Sequence, residues 1–250
     1  MVSPMAGLDW GSRRPRVSPK SNRAGASSNS DYILRSTLTQ FRPTQHSTSR
    51  MPDLKQHESF AGLIFDCDGT LADTMPLHFV AWQEVLTGHG IQFDEDVFYS
   101  FAGQPTVTIV DKLLKQQGLA GDPVAISGEK EQAFLDALPQ IKPIEPIVEI
   151  AKAFRATKPM GVGSGSNRDT VFQILEHIGL TDFFDAVVGA EDTTKHKPEP
   201  DVFLEVARRI GVEPTECEVF EDADLGVEAG RRAGMVVFDV RTVHHPKRMT

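Results

Sequence analysis

The stretch Gly62-Leu63-Ile64-Phe65-Asp66-Cys67-Asp68-Gly69-Thr70-Leu71 decides the fold of this chain. Its first four residues form a short apolar run, which is typical of a strand buried in a parallel sheet. Asp66 and Asp68 follow at the carboxyl end of that strand, where such sheets bind their ligands. Paired carboxylates there could hold a hard cation, or act as a nucleophile and a general acid. An EF-hand loop is excluded, because the glycine comes fourth and Leu77 stands at the twelfth position, which requires glutamate.

The segment that follows this strand shows only helical periodicity. Apolar residues recur at helical spacing over residues 76–88, and similar patterns follow at 106–117 and 129–138 with no strand candidate between them. The prolines of Lys142-Pro143-Ile144-Glu145-Pro146 mark a break. Residues 75–142 are therefore predicted to form an inserted helical domain, between two parts of a core formed by residues 56–74 and 143–250.

Strands and helices alternate after the break. Strands are predicted at 160–163, 186–190, 218–220 and 236–240, with helices over about 168–178, 201–210 and 224–233. Alternation with short links predicts a parallel sheet covered by helices. The predicted fold class is α/β: a Rossmann-like parallel sheet core with helices on both faces and an inserted, small, all-helical cap domain.

The second candidate site motif is Gly161-Val162-Gly163-Ser164-Gly165-Ser166-Asn167, at a strand-to-helix junction. Such a junction offers backbone N–H groups to an anion, and Ser164 can add a hydroxyl. The spacing is not that of the dinucleotide fingerprint G-x-G-x-x-G, and a serine helix cap is the alternative interpretation.

Two further motifs follow later strands. Lys197 precedes a proline-started helix, from which it could reach the central cleft as a positive charge for phosphate, although most lysines are ordinary surface residues. Asp222, in Val219-Phe220-Glu221-Asp222, could join Asp66 and Asp68 around one Mg²⁺, or it could cap the next helix.

Composition excludes several classes of protein. The 250 residues are 40% hydrophobic and 24% charged, which suits one globular domain with or without an inserted one. No run of about 18 apolar residues occurs, so we expect no membrane partner. The two cysteines, Cys67 and Cys217, form neither a disulfide framework nor a zinc-ligand set, which indicates a reducing, cytoplasmic compartment.

The N-terminal region differs in charge from the rest. Residues 1–50 carry eight basic and two acidic residues (net +6), and the remainder carries 18 basic and 33 acidic residues (net −15). The acidic remainder would repel nucleic acid. Residues 1–55 are predicted to be a disordered extension, because the first 50 contain ten serines and little apolar periodicity. They could be a flexible tail, the product of a start codon upstream of Met51, or a transit peptide, which would imply an organelle.

These motifs, in this order, resemble the haloacid dehalogenase superfamily of phosphotransferases. The resemblance covers about residues 60–241 and rests on Asp66-Cys67-Asp68-Gly69-Thr70, Ser164, Lys197 and Glu221-Asp222. The helical insert is similar to the small cap of the β-phosphoglucomutase-like subgroup. Residues 161–167 and 185–230 are most similar to bacterial fructose-1-phosphate phosphatases of that subgroup.

The resemblance implies a catalytic scheme. Asp66 would be the nucleophile and Asp68 the general acid and base, and Mg²⁺ would be held by Asp66, the backbone carbonyl of Asp68, and Asp222. Phosphate would be bound by three residues of the core, namely Ser164, Gly165 and Lys197. Substrate contacts in or near the cap are expected from His78, Gln104 and Asn167, and Trp82 lies one helical turn from His78.

The implied function is Mg²⁺-dependent hydrolysis of small sugar monophosphates, such as fructose 1-phosphate, by a monomer. The alternative is a β-phosphoglucomutase-type isomerase, and a non-enzymatic regulator is a third possibility. A mutase must grip a second phosphate, usually with a cap arginine after the glycine that matches Gly103. Gln104 stands there instead, and residues 75–142 contain no arginine, so the sequence favours hydrolysis.

Overall fold

The computed structural model describes residues 53–249, and its centre is a five-stranded parallel sheet. The strands are Gly62–Phe65 (β1), Met160–Gly163 (β2), Ala186–Val188 (β3), Cys217–Glu221 (β4) and Val236–Asp239 (β5). Their spatial order is β3-β2-β1-β4-β5. The chain adds β2 and β3 on one side of β1 and then adds β4 and β5 on the other side, so the strand order reverses between β1 and β4. This reversal opens a crevice at the carboxyl ends of the two strands. The predicted fold class is confirmed.

Four helices cover the two faces of the sheet. They are Glu145–Phe154 (α5), Arg168–His177 (α6), Asp201–Ile210 (α7) and Asp224–Arg232 (α8). Successive residues of β1 point to opposite faces: Leu63 and Phe65 pack in the cluster that contains α5 and α6, and Ile64 packs in the cluster that contains α7 and α8. The central strands β1, β2 and β4 are buried along their whole length, as the continuous apolar sequence of β1 predicts, whereas the edge strand β5 is partly exposed.

Every regular element between β1 and α5 is a helix. This segment contains Met75–Gly88 (α1), Glu95–Ser100 (α2), Thr106–Gln117 (α3) and Pro123–Asp136 (α4), followed by a short 3₁₀ helix, Leu138–Gln140. Twelve of its apolar side chains form a buried cluster of their own, which includes Phe79, Trp82 and Leu113. We call residues 75–142 the cap. That the cap is a separate domain with these bounds stays a prediction.

Three helices differ from the sequence-based expectation. Helix α4 begins six residues earlier than predicted, because the Asp122 carboxylate caps it by accepting the N–H of Val124 at 2.9 Å. Helix α5 begins inside the predicted break, since Pro146 occupies its first turn, where proline is tolerated. Helix α2 was not predicted, because its six residues are too few to show a period.

The first described residues are fixed to the core by a buried pair. A 3₁₀ helix spans Leu54–His57, so the extension predicted to be disordered through residue 55 ends earlier than expected. His57 Nδ1 lies 2.7 Å from Glu218 Oε2 of β4, and both residues are buried. Gln56 Nε2 donates to the other ring nitrogen of His57 at 3.1 Å. The remainder of the predicted extension, residues 1–52, lies outside the described residues.

Within residues 53–249, no helix has the length and the apolar character needed to span a bilayer.

Candidate active site

Two acidic side chains meet at the crevice between β1 and β4. Asp66 follows β1, and its backbone N–H donates to the carbonyl of Phe220 at 3.0 Å, which keeps the two strand ends in register. Asp222 follows β4 and accepts from Thr70 Oγ1 at 3.2 Å. Gly69 passes over Asp222 with a φ of +84°, and a Cβ at that position would lie 2.2 Å from Asp222 Oδ2. The loop behind Asp66 therefore requires glycine at this point.

A third carboxylate, Glu221, completes a cluster with Asp66 and Asp222. One oxygen of each lies within 4.8 Å of the others. Lys197 is 3% exposed, and its Nζ donates to Asp66 Oδ1 and to Glu221 Oε2, both at 2.6 Å. Glu221 Oε1 accepts the backbone N–H groups of Asp222 at 3.1 Å and Ala223 at 2.9 Å. Glu221 is thus engaged within the protein through both oxygens, whereas Asp66 and Asp222 each have one oxygen to offer a ligand.

The cluster holds more negative than positive charge. Burial, followed by repulsion from Glu221, raises the pKa of Asp66 to about 8 despite the attraction of Lys197. The same two causes raise the pKa of Asp222 well above its usual range. A hard divalent cation relieves such repulsion and prefers carboxylate oxygens. Asp66 and Asp222 therefore fit Mg²⁺, and the contribution of the Asp68 carbonyl stays a prediction.

The Asp68 carboxylate does not belong to this cluster but is held by three donors. Thr74 Oγ1 and His78 Nε2 reach its Oδ1 at 2.8 and 2.9 Å, and Ser166 Oγ donates to its Oδ2 at 2.7 Å. Burial acts to raise the pKa of Asp68, but its interaction with His78 and the three hydrogen bonds outweigh burial and lower it. Asp68 is therefore ionised in this structure, and the three donors orient its carboxylate.

His78 connects Asp68 to a buried lysine of the cap. Lys130 Nζ lies 2.8 Å from His78 Nδ1, and an ammonium group can only donate, so Nδ1 carries the lone pair and Nε2 carries the proton that faces Asp68. Burial, followed by the charge of Lys130, lowers the pKa of His78 and keeps the ring neutral. Lys130 is 2% exposed and lies 5.3 Å from the ring centroids of both Trp82 and Phe134.

Ser164 and Gly165 lie at the end of β2 and line the same cleft as Asp66. Ser164 is buried, and its Oγ accepts the N–H of Ser166 at 3.0 Å, which leaves the hydroxyl proton available to a ligand. Gly165 touches the backbone of Gly103 in the cap, since a Cβ on Gly165 would lie 2.4 Å from the Gly103 carbonyl oxygen. The cap is thus in direct contact with the loop that follows β2 and carries Ser164 and Gly165.

The cleft between cap and core has a cavity volume of about 60 Å³. On the cap side it is lined by His78, Trp82, Gln104 and Thr106, so the structure brings two of the three predicted substrate contacts to it. The third, Asn167, is exposed at the N-cap of α6 and does not line the cleft. A substrate contact from Asn167 stays a prediction.

Comparison with known proteins identifies the family. The family model described as haloacid dehalogenase-like hydrolase matches residues 63–240. The chain belongs to this family. It is 44% identical over 186 residues to fructose-1-phosphate phosphatase YqaB of Escherichia coli. The aligned region covers 74% of this chain and 98% of that protein. It is 28% identical over 177 residues to the phosphorylated carbohydrates phosphatase of Thermotoga maritima, covering 69% of this chain and 81% of that protein.

A solved structure also places the chain within the family. The β-phosphoglucomutase of Clostridium difficile superposes with a TM-score of 0.67 at 25% identity, covering 72% of this chain and 84% of that one. The resemblance to the β-phosphoglucomutase-like subgroup of haloacid dehalogenase-like hydrolases is thus confirmed. The predicted enzyme class, a phosphatase of this family, is also confirmed.

Sequence reasoning missed three residues that surround Asp68 or act on it through His78. Thr74 and Ser166 contact Asp68 directly, and Lys130 contacts it through His78. Ser166 stands two residues after Ser164 in a motif already selected, so strand-end position could have identified it. Lys130 gives no such signal, because its partner His78 lies 52 residues away and only the packing of α1 on α4 brings them together.

Proposed function

We propose that this chain is a Mg²⁺-dependent phosphatase that hydrolyses small sugar monophosphates, fructose 1-phosphate among them, through an aspartyl-phosphate on Asp66. One observation carries the proposal. Asp66 lies at the crevice between β1 and β4 with Lys197 on one oxygen and Asp222 beside it, and Asp68 lines the same cleft.

The first half of the reaction uses the free oxygen of Asp66. That oxygen attacks phosphorus, the bond from phosphorus to the sugar oxygen breaks, and Asp68 donates a proton to the departing oxygen. For this step Asp68 must carry a proton. The hydroxyls of Thr74 and Ser166 can rotate from donor to acceptor, which lets the neutral acid form.

The second half of the reaction uses the state of Asp68 that the structure shows. Asp68 is ionised in this state, so it can take a proton from water as the water oxygen attacks phosphorus and the bond from phosphorus to Asp66 breaks. His78, kept neutral between Lys130 and Asp68, orients that carboxylate.

The phosphoryl oxygens are assigned to Lys197, Ser164 and the backbone of Gly165, on account of their places around Asp66. When bound between Asp66 and Asp222, Mg²⁺ supplies positive charge that stabilises the transferring phosphoryl group. Lys197 Nζ bridges Asp66 and Glu221 and so orients the nucleophile, and its charge opposes the rise in the pKa of Asp66 that burial and Glu221 cause.

The substrate class rests on the relatives and on the cleft. The Escherichia coli relative is named for fructose 1-phosphate and the Thermotoga maritima relative for phosphorylated carbohydrates. The cap adds neutral polar groups, Gln104 and Thr106, to an aromatic wall formed by Trp82 and Phe101. Such a surface suits the hydroxyls of a compact sugar. That the enzyme is a monomer stays a prediction.

The proposal is tested by phosphate release from a panel of sugar monophosphates, with Mg²⁺ and with excess chelator. We expect turnover of fructose 1-phosphate that needs Mg²⁺. Full activity in excess chelator would show that the reaction does not need Mg²⁺. Turnover of only those phosphate esters that contain no sugar would show that the proposed substrate class is wrong.

The isomerase alternative is not favoured. The four lysines of the cap are its only cations apart from histidine, and two of them, Lys112 and Lys130, are engaged by Gln104 and by His78. A coupled assay for conversion of β-glucose 1-phosphate to glucose 6-phosphate should therefore show less product than phosphate release does.

A further inference from the structure

Two polar residues of the cap loop, residues 103–106, face the cleft, and each is hydrogen-bonded from behind by a charged side chain. Gln104 and Thr106 line the cleft, whereas their partners Lys112 and Glu131 do not. Lys112 Nζ donates to Gln104 Oε1, and Thr106 Oγ1 donates to Glu131 Oε1. These two contacts determine which atoms of the loop remain for a substrate.

Lys112 determines the orientation of the Gln104 amide. An ammonium group has protons but no lone pair to offer, so the amide oxygen must face Lys112 and the amide NH₂ must face elsewhere. Lys112 Nζ lies 5.6 Å from the ring centroid of Phe101, which also lines the cleft. Gln104 therefore presents a hydrogen-bond donor to the cleft.

Glu131 determines the direction of the Thr106 hydroxyl. Burial acts to raise the pKa of Glu131, but the charge of Lys130, 3.3 Å away, together with the interaction with His78 and the hydrogen bonds from Thr106 and Lys130, outweighs burial and lowers it, so Glu131 stays a carboxylate that can only accept. Thr106 must then give its one proton to Glu131. What remains for the cleft is the oxygen of Thr106, which is an acceptor.

We propose that Lys112 and Glu131 are positioning residues, which give the cap loop one donor, at Gln104, and one acceptor, at Thr106, and thereby select a substrate hydroxyl over a second phosphate. A hydroxyl both accepts and donates, so it satisfies the two groups together. A phosphate oxygen at neutral pH only accepts, so it is repelled by the oxygen of Thr106. This inference rests on the proposed function, because it assumes that the sugar faces the cap loop.

The first test compares Lys112→Met with Lys115→Met, a control on the exposed face of the same helix. The measured quantity is kcat/KM for fructose 1-phosphate divided by kcat/KM for p-nitrophenyl phosphate, which has no hydroxyl for the loop to bind. We expect Lys112→Met to lower this ratio about tenfold, the effect of one mispaired hydrogen bond. The loss should fall on KM for the sugar phosphate, and Lys112→Arg, which is still a donor, should restore it.

The second test reverses the polarity at Thr106. Glu131→Met removes the carboxylate that accepts the threonine proton, which frees that proton for the cleft. We expect turnover of fructose 1,6-bisphosphate relative to fructose 1-phosphate to rise several-fold in this variant, and no such rise in Glu129→Gln, whose side chain is exposed. A general loss of structure cannot produce a rise.

The outcomes separate the inference from the function on which it rests. If the wild type shows no preference for fructose 1-phosphate over p-nitrophenyl phosphate, the proposed substrate class is wrong and the inference is wrong with it. If the wild type shows the preference but Lys112→Met keeps it, or loses both activities equally, only the inference is overturned. An unchanged bisphosphate ratio in Glu131→Met overturns the role of Glu131.

Discussion

Gly165→Ala should block full closure of the cap on the core. The added Cβ would lie 2.4 Å from the Gly103 carbonyl oxygen and 2.8 Å from its carbonyl carbon. Nonbonded heavy atoms are comfortable at about 3.5 Å, so the cap loop must retreat by about 1 Å. The Gly103 atoms that the new Cβ meets are backbone and the Cβ itself cannot rotate away, so no side-chain rotation can relieve the clash.

A retreat of this size acts on catalysis rather than on folding. A misplacement of about 1 Å in a catalytic assembly can cost about a hundredfold in rate. We therefore expect kcat/KM of Gly165→Ala for a sugar monophosphate to fall about a hundredfold, while the melting temperature stays within about 2 °C of the wild type. The assay is steady-state phosphate release, with thermal denaturation measured on the same preparations.

The matched control is Gly128→Ala. Gly128 lies inside helix α4, also in the cap, and a Cβ there meets nothing within 4 Å. Alanine should leave activity unchanged and stabilise the helix by up to about 1 kcal/mol. If Gly165→Ala keeps kcat/KM within about threefold of the wild type, the contact with Gly103 does not limit catalysis and the reasoning is refuted.

Three further predictions concern the core. Asp66→Asn should lose at least about a thousandfold in kcat, because it removes the nucleophile. The variant should stay folded by circular dichroism, because it also removes one of three crowded carboxylates. Residual activity within about tenfold of the wild type contradicts the assignment. In the metal-free protein, the free energy of unfolding should decrease in denaturant titrations as the pH rises from 3.8 towards about 8, because folded Asp66 keeps a proton that the unfolded chain has lost. Added Mg²⁺ should stabilise the protein more at high pH than at low pH, and a pH-independent Mg²⁺ effect argues against this site. Deletion of residues 1–50 should leave kcat/KM unchanged, whereas deletion through His57 should lower the melting temperature, because it leaves Glu218 buried without its partner.

Much of the core was predictable because its signals are local. Each central strand is a short apolar run, and each run ends in the residues that carry the chemistry, so Asp66, Ser164 and Asp222 could be placed at one edge of the sheet. That Asp66 and Asp222 share a crevice follows from the reversal of strand order between β1 and β4, which the sequence does not display.

What the sequence could not show depends on contacts between distant segments. Lys130 reaches His78 only because α4 packs on α1. Lys197 forms a salt bridge with Glu221 because the fold buries both residues beside Asp66. Helix α2 is too short to show a helical period in the sequence. Helix α5 begins inside a proline-marked segment that pattern reasoning interprets as a break. The exposed position of Asn167, away from the cleft, depends on how helix α6 leaves the sheet, which the sequence does not display.

The contact between Gly103 and Gly165 bears on how substrate preference could change during evolution. Closure there is made by main-chain atoms, so its geometry does not depend on which side chains the cap loop carries. Mutations at positions 104 and 106 can therefore alter the groups that meet the sugar while the chemistry at Asp66 continues unchanged. A library randomised at these two positions, with both glycines kept, offers a direct route to enzymes with new specificity.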